Sequence, residues 1–192
     1  MIGMSCTHFS SRPMGEWIDR VAGSFRHWEI FSEADHIIVG REAEIRDMIS
    51  SRGMTSSVHA PICDLNVGAL TDRLMEASVE VLRDTIRSAS EIDAVTVTIH
   101  PGLSSMSVND TEARASERAR RSMKVLEKAG EEYGVTLAIE NMPSFPFFLG
   151  RTASSLADIV DGTDLGICFD IGHANTMGQI DAMVETFGDR IV

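Results

Sequence analysis

Apolar residues along this chain come in short runs. Each run is followed by a polar break and then by a longer stretch in which apolar positions recur every three or four residues. The runs lie at 2–6, 28–31, 57–59, 94–99, 135–139 and 165–169, and a seventh begins at 190–192. Short runs rich in Val, Ile and Thr, such as Val95-Thr96-Val97-Thr98-Ile99, predict strands of a sheet buried on both faces. Between them, Leu70, Leu74, Val81, Leu82 and Ile86 predict one helix face, and Ala119, Met123, Leu126 and Tyr133 a second. Ile180, Met183, Val184 and Phe187 have the i, i+3, i+4, i+7 spacing of a third. Asn109 with Glu112 predicts a capped start for the middle helix, and Gly130 and Gly134 its close. Strand and helix alternate about six times with no Pro-, Gly- or Ser-rich linker. The expectation is therefore one α/β domain over 1–192 with a parallel sheet. This spacing fits either a doubly wound sheet or a (β/α)8 barrel.

Composition narrows the functional classes. With 43% apolar and 24% charged residues the chain reads as a soluble globular domain rather than a disordered one. A formal net charge of −12 disfavours non-specific contact with nucleic acid or anionic membrane. The dense basic stretch of Arg114, Arg118, Arg120, Arg121, Lys124 and Lys128 is interleaved with Glu112, Glu117, Glu127 and Glu131, the pattern of a solvated helix face. Cys6, Cys63 and Cys168 have no clustered spacing and are expected as reduced thiols. No leader-like segment or membrane-length apolar run is present in these residues, and the expected location is the cytoplasm.

The chemistry sits where the runs end. The third runs into His59-Ala60-Pro61, the fourth into His100-Pro101-Gly102, the fifth into Glu140-Asn141-Met142-Pro143, and the sixth into Asp170-Ile171-Gly172-His173. In parallel α/β folds, the carboxyl edge of the strands is where active sites form. A lone histidine there is ordinarily a hydrogen-bonded turn residue, and a lone aspartate can cap the next helix. Four successive strands each delivering His, Glu or Asp to one edge instead predict a metal site of His59, His100, Glu140, Asp170 and His173. Imidazole and carboxylate donors suit zinc or manganese, with magnesium or iron as further options. His8 and Glu33, at the ends of the first two runs, are expected at the same mouth as substrate contacts. His27 and His36 have no such placement and are expected to be structural or exposed.

Taken in order, His59-Ala60-Pro61, His100-Pro101-Gly102, Ile139-Glu140-Asn141 and Cys168-Phe169-Asp170-Ile171-Gly172-His173 resemble the motifs of the xylose-isomerase-like barrel superfamily. That superfamily holds sugar and sugar-phosphate isomerases and epimerases together with endonuclease IV. The resemblance implies a (β/α)8 TIM barrel. It also implies a histidine on strand seven and a glutamate on strand eight, so the chain is expected to be truncated after about six and a half βα units. In the isomerase branch the equivalents of Glu140 and Asp170 hold one divalent metal, Glu140 can also transfer protons, and His59, His100 and Asn141 would face substrate. In the endonuclease branch His59, His100 and Glu140 hold one zinc, Glu140 bridges to a second with Asp170, and His173 belongs to a third. Ile62 stands where that branch tends to have an aromatic, and Asn66 lies one position later than its asparagine.

The reading favoured here is a divalent-metal isomerase or epimerase acting on a sugar or sugar phosphate, with Glu140 and His100 catalytic. An endonuclease-like enzyme on abasic DNA and a non-catalytic small-molecule-binding barrel are the alternatives. A homo-oligomer would cover any open strand edge.

Overall fold

A computed structural model describes residues 2–192. One sheet holds six strands: β1 (Met4–Ser5), β2 (His27–Phe31), β3 (Thr55–His59), β4 (Thr96–Ile99), β5 (Thr136–Glu140) and β6 (Gly166–Cys168). All neighbours are parallel, and their order across the sheet is their order along the chain. A doubly wound sheet reverses its strand order at a switch point. This one does not, and its topology is that of a barrel wall. The run at 190–192 joins the same edge. Ile191 bridges in parallel to Ile167, and the Val192 N–H donates to the Ile167 carbonyl at 3.2 Å.

Helices α1 (Ile18–Ala22), α2 (Glu42–Ser50), α3 (Asp72–Glu91), α4 (Glu112–Tyr133), α5 (Ala153–Ile159), α6 (Ile171–Thr176) and α7 (Ile180–Phe187) connect and follow the strands. Trp28, Ile30, Val58, Val97, Ile99, Leu137, Ile139 and Ile167 alternate along the strands and join a core with Leu82, Ile86, Met123, Leu126 and Leu156. Each such buried side chain contributes about 1.5–3 kcal/mol. The strands are not apolar on both faces, however. The alternate positions carry Glu29, Ser57, Thr98 and Cys168, and Thr98 Oγ1 donates to Glu29 Oε1 at 3.5 Å. One face packs on helices, whereas the other lines the barrel interior beneath the strand ends.

Several local expectations are corrected. The core face of α3 is Ser78, Leu82, Thr85, Ile86 and Ala89, and Leu74 and Val81 are exposed because they lie at the edge of that arc. On α7, Met183 and Phe187 are buried while Val184 faces out. No Asn109–Glu112 cap forms. Thr111 precedes α4, its hydroxyl bonded to Val108 and Ser105, while Glu112 pairs with Arg151. Gly134 does close α4, at φ +68°. Gly130 lies inside the helix instead, where a Cβ would stand 2.8 Å from Leu137 Cγ; its small size lets α4 approach β5.

His36 is structural, as expected, in an uncommon way. It is fully buried edge-on to Trp28, ring centroids 5.6 Å apart, and neither ring nitrogen has a hydrogen-bond partner. Burial holds its pKa below the ordinary imidazole value, against upward pulls from the Arg12 backbone and Asp35, and Arg41 lowers it further. The unfolded chain therefore takes up this proton before the native one does. Stability from neutral His36 is complete above about pH 6.5 and is lost as pH falls toward its lower folded value, by up to about 1.4 kcal/mol per unit. His36→Phe is expected to flatten that slope. Urea midpoints at pH 7.5 and 5.5 check it, and equal slopes for the two proteins would refute it.

Candidate metal centre

His59 and Glu140 are the last residues of β3 and β5, and His100 directly follows β4. Asp170 and His173 follow β6, Asp170 as the N-cap of α6 with its Oδ1 accepting the His173 N–H at 2.7 Å. The parallel register thus brings four strand ends to one rim, and at its centre Glu140 is 6% exposed. His59 Nε2 and His100 Nε2 both donate to Glu140 Oε2, each at 3.1 Å. The other oxygen, Oε1, lies 3.2 Å from His173 Nδ1, which is also 3.7 Å from Asp170 Oδ2 and donates to the Asn141 carbonyl at 2.9 Å. All five residues expected at a metal site are therefore together.

The protonation pattern follows from this packing. Burial drives the Glu140 carboxyl upward, but the hydrogen bonds and positive charge of His100 and His59 outweigh it and hold the group at about 2. Burial likewise works against protonated His59, yet Glu140, the Ala60 carbonyl and Glu29 together raise it above the ordinary value. His100 goes the other way. Its burial and the neighbouring His59 and His173 exceed the pull of Glu140 and hold its pKa below the ordinary imidazole value. Cys168, next to Glu140 in the β5–β6 register, is pushed up to about 12 by burial and then by that carboxylate, which leaves it a thiol.

The donor set fits a cation. Donor atoms of His59, His100 and Glu140 lie within 4.8 Å of one another, as do those of Glu140, Asp170 and His173. Ligand bonds of about 2.1 Å at tetrahedral angles set donor atoms about 3.4 Å apart, close to the 3.1 Å separations around Glu140 Oε2. Binding would displace the proton on His59.

The expected substrate contacts are placed differently. Asn141 is fully buried and clips β5 to β6: its Oδ1 accepts the Asp170 N–H at 2.8 Å and its Nδ2 donates to the Asp170 carbonyl at 2.9 Å. Glu33 Oε1 accepts the amides of Ile62 and Cys63. His8 is exposed on a 3-10 turn after β1, against Trp17 rather than in the cluster. Two features were missed. Glu29 lies on the interior face below the cluster, and the strict alternation of His27, Glu29 and Phe31 would have found it. Asn66 fixes the turn after His100, its Oδ1 accepting the amides of Gly68 and Leu103 at 2.9 Å each and its Nδ2 donating to the Leu103 carbonyl. That closeness requires Gly102, where φ is +95° and a Cβ would meet Asn66 Oδ1 at 2.8 Å. A cavity of about 210 Å³ opens beside His100, walled by Ile62, Cys63, Leu65, Phe147 and Phe148.

Comparison with known proteins places this geometry. A family profile described as Xylose isomerase-like TIM barrel matches residues 19–192, and the chain belongs to that family. It is 33% identical over 191 residues to the uncharacterized protein MJ1311 of Methanocaldococcus jannaschii, covering 95% of this chain and 64% of that protein. It is 29% identical over 147 residues to a probable endonuclease 4 of Thermoplasma volcanium, covering 74% and 49%. Among solved structures, a D-tagatose 3-epimerase-like protein superimposes with a TM-score of 0.88 at 30% identity, covering 95% of this chain and 70% of the other. The chain thus spans between about half and two thirds of the length of these two curated relatives. Among the described residues, no helix is long and apolar enough to cross a membrane.

Proposed function

We propose that this chain carries the metal centre of a divalent-metal isomerase or epimerase acting on a sugar or sugar phosphate. The observation that carries the reading is the convergence of three imidazoles on the single buried carboxylate of Glu140 at the carboxyl rim of a parallel barrel wall. The likeness to a D-tagatose 3-epimerase-like protein supports the substrate class. Glu140, Asp170 and His173 would hold a zinc or manganese ion, with His59 and His100 facing the substrate. When bound, such an ion polarises a substrate carbonyl and so acidifies the hydrogen on the neighbouring carbon.

The chain's own residues then have separable tasks. Neutral His100 donates to an oxygen that gains negative charge as that hydrogen leaves. Glu140, which can give and take a proton as well as bind the ion, moves the hydrogen on the carbon beside that carbonyl; the family resemblance sets a second carboxylate for the same work on strand eight. The cavity beside His100 receives the rest of the substrate and keeps water from it.

A second reading, a zinc-dependent endonuclease on abasic DNA, is favoured by one observation: Glu140 is shared by two donor groups, as a bridge between two ions would be. The net charge of −12 opposes it. Two measurements on the manganese- or zinc-loaded chain separate the readings. Deuterium uptake from D2O into D-tagatose, read by mass spectrometry, is expected for the epimerase. Nicking of a duplex with one abasic site, with two or three zinc equivalents per chain, would replace that reading with the nuclease. Neither activity would sink both.

A further inference from the structure

We infer that Glu33 is a positioning residue: it holds the Ile62–Cys63 segment in place as one wall of the cavity beside His100. Glu33 Oε1 accepts the amide N–H of Ile62 at 2.6 Å and that of Cys63 at 2.7 Å. Both bonds cross from the end of β2 to the loop after β3. The next residue, Ala34, is held at φ +47°, a left-handed conformation that a Cβ-bearing residue seldom adopts. The backbone on either side is pinned. The Ser32 N–H donates to the His59 carbonyl at 2.9 Å, and Ser32 Oγ accepts the Ile38 N–H at 3.2 Å. A strained turn fastened at both ends aims one carboxylate at two loop amides.

The consequence lies across the loop. Ile62 and Cys63 wall the cavity whose other sides include His100, Phe147 and Phe148. Glu33 touches none of the donor groups around Glu140. Its effect on chemistry is therefore expected through the shape of the cavity and not through the metal. This rests on the reading that the cavity receives the substrate. A single oxygen accepts both amides, so the neutral carbonyl of glutamine can do the same work, whereas alanine cannot. A substrate- or metal-contacting carboxylate would tolerate neither.

The experiment compares the full chain with Glu33→Gln and Glu33→Ala, all zinc-loaded. Backbone hydrogen exchange at 62 and 63 is expected to quicken by roughly tenfold or more in Glu33→Ala and to stay near wild type in Glu33→Gln. Zinc affinity, read by competition with a chromogenic chelator, is expected within about twofold of wild type in both. A third readout follows the carboxylate itself. Burial and then Glu33 raise the Cys63 thiol above its ordinary value, so the pH midpoint for Cys63 alkylation should fall in both variants. D-tagatose affinity by calorimetry should weaken in Glu33→Ala and be kept in Glu33→Gln.

Unchanged exchange in Glu33→Ala, or equally fast exchange in the two variants, would overturn the positioning role. So would a large loss of zinc affinity in Glu33→Gln, which would make Glu33 a ligand. D-tagatose affinity unchanged in Glu33→Ala would overturn its effect on the cavity. A wild-type chain that does not bind D-tagatose at all, yet shows the expected exchange pattern, would count against the epimerase reading and leave Glu33's hold on the loop standing.

Discussion

Glu140→Gln is expected to lower affinity for a divalent ion by at least about 100-fold and to abolish turnover, with the fold intact. Loss of an outer partner to a metal ligand already costs roughly 10–100-fold, and Glu140 is the one residue common to both donor groups. Glutamine has nearly the same volume, so packing around this buried position should survive. What changes is polarity. Three imidazole nitrogens point at the two carboxylate oxygens, and an amide must turn its NH2 toward at least one of them. The anion that does most to raise His59 is gone as well, which leaves only the Ala60 carbonyl and Glu29 to oppose burial.

The pH dependence of the metal-free chain gives an independent check. A carboxyl held at about 2 contributes stability that is complete above the ordinary glutamate value of about 4.3. That stability is lost as pH falls through about 2, and amounts to about 3 kcal/mol in all. The variant should lack that acid limb. Chelator competition, thermal melts and acid titration measure the three effects. Zinc affinity near wild type would remove Glu140 from the centre of the site.

The site was more legible than the scaffold around it, for a physical reason. Metal-type ligands at a strand end are set by chain order: once strands run parallel and neighbours in sequence are neighbours in the sheet, successive carboxyl ends must share a rim. His59, His100, Glu140, Asp170 and His173 needed no contact information beyond that. Periodicity alone did not carry the choice of barrel over doubly wound sheet, because strand order is long-range information; the ordered motifs carried it through their resemblance to the xylose-isomerase-like barrels. The roles of Asn141 and Glu33 were hidden for a similar reason. Their side chains bond backbone amides 29 residues away, and backbone groups carry no sequence signal. Leu74 and Val81 misled because an apolar residue at the edge of a helix arc can face solvent at little cost, and burial follows the arc rather than the residue type. The polar interior face was readable and was passed over, since Thr favours strands as Val does while marking which face is wet.

Replacing Asn141 is the second change with a large expected effect, and its two variants should behave differently with pH. Asn141→Ala removes both partners of the Asp170 backbone, an N–H and a C=O, at a fully buried position. An unsatisfied buried group costs about 1–3 kcal/mol, so a loss of roughly 2–5 kcal/mol is expected. Asp170 and His173 should lose their placement with it. Asn141→Asp keeps the acceptor for the Asp170 N–H but turns a donor into an oxygen facing the Asp170 carbonyl. It also sets a new carboxyl beside Glu140, and burial with like charge raises its pKa. Once protonated, that group can donate to the Asp170 carbonyl and restore the clip. A raised folded pKa places the stability it contributes below the ordinary aspartate value of about 3.9, and that stability is lost as pH rises through the folded value. Asn141→Asp should therefore lie nearest wild type in acid and fall away toward neutrality, while the deficit of Asn141→Ala stays nearly constant. Urea denaturation of the metal-free chain at pH 5 and pH 8 tests both. An Asn141→Ala variant within about 0.5 kcal/mol of wild type would mean that α6, and with it Asp170 and His173, is held by something other than this clip.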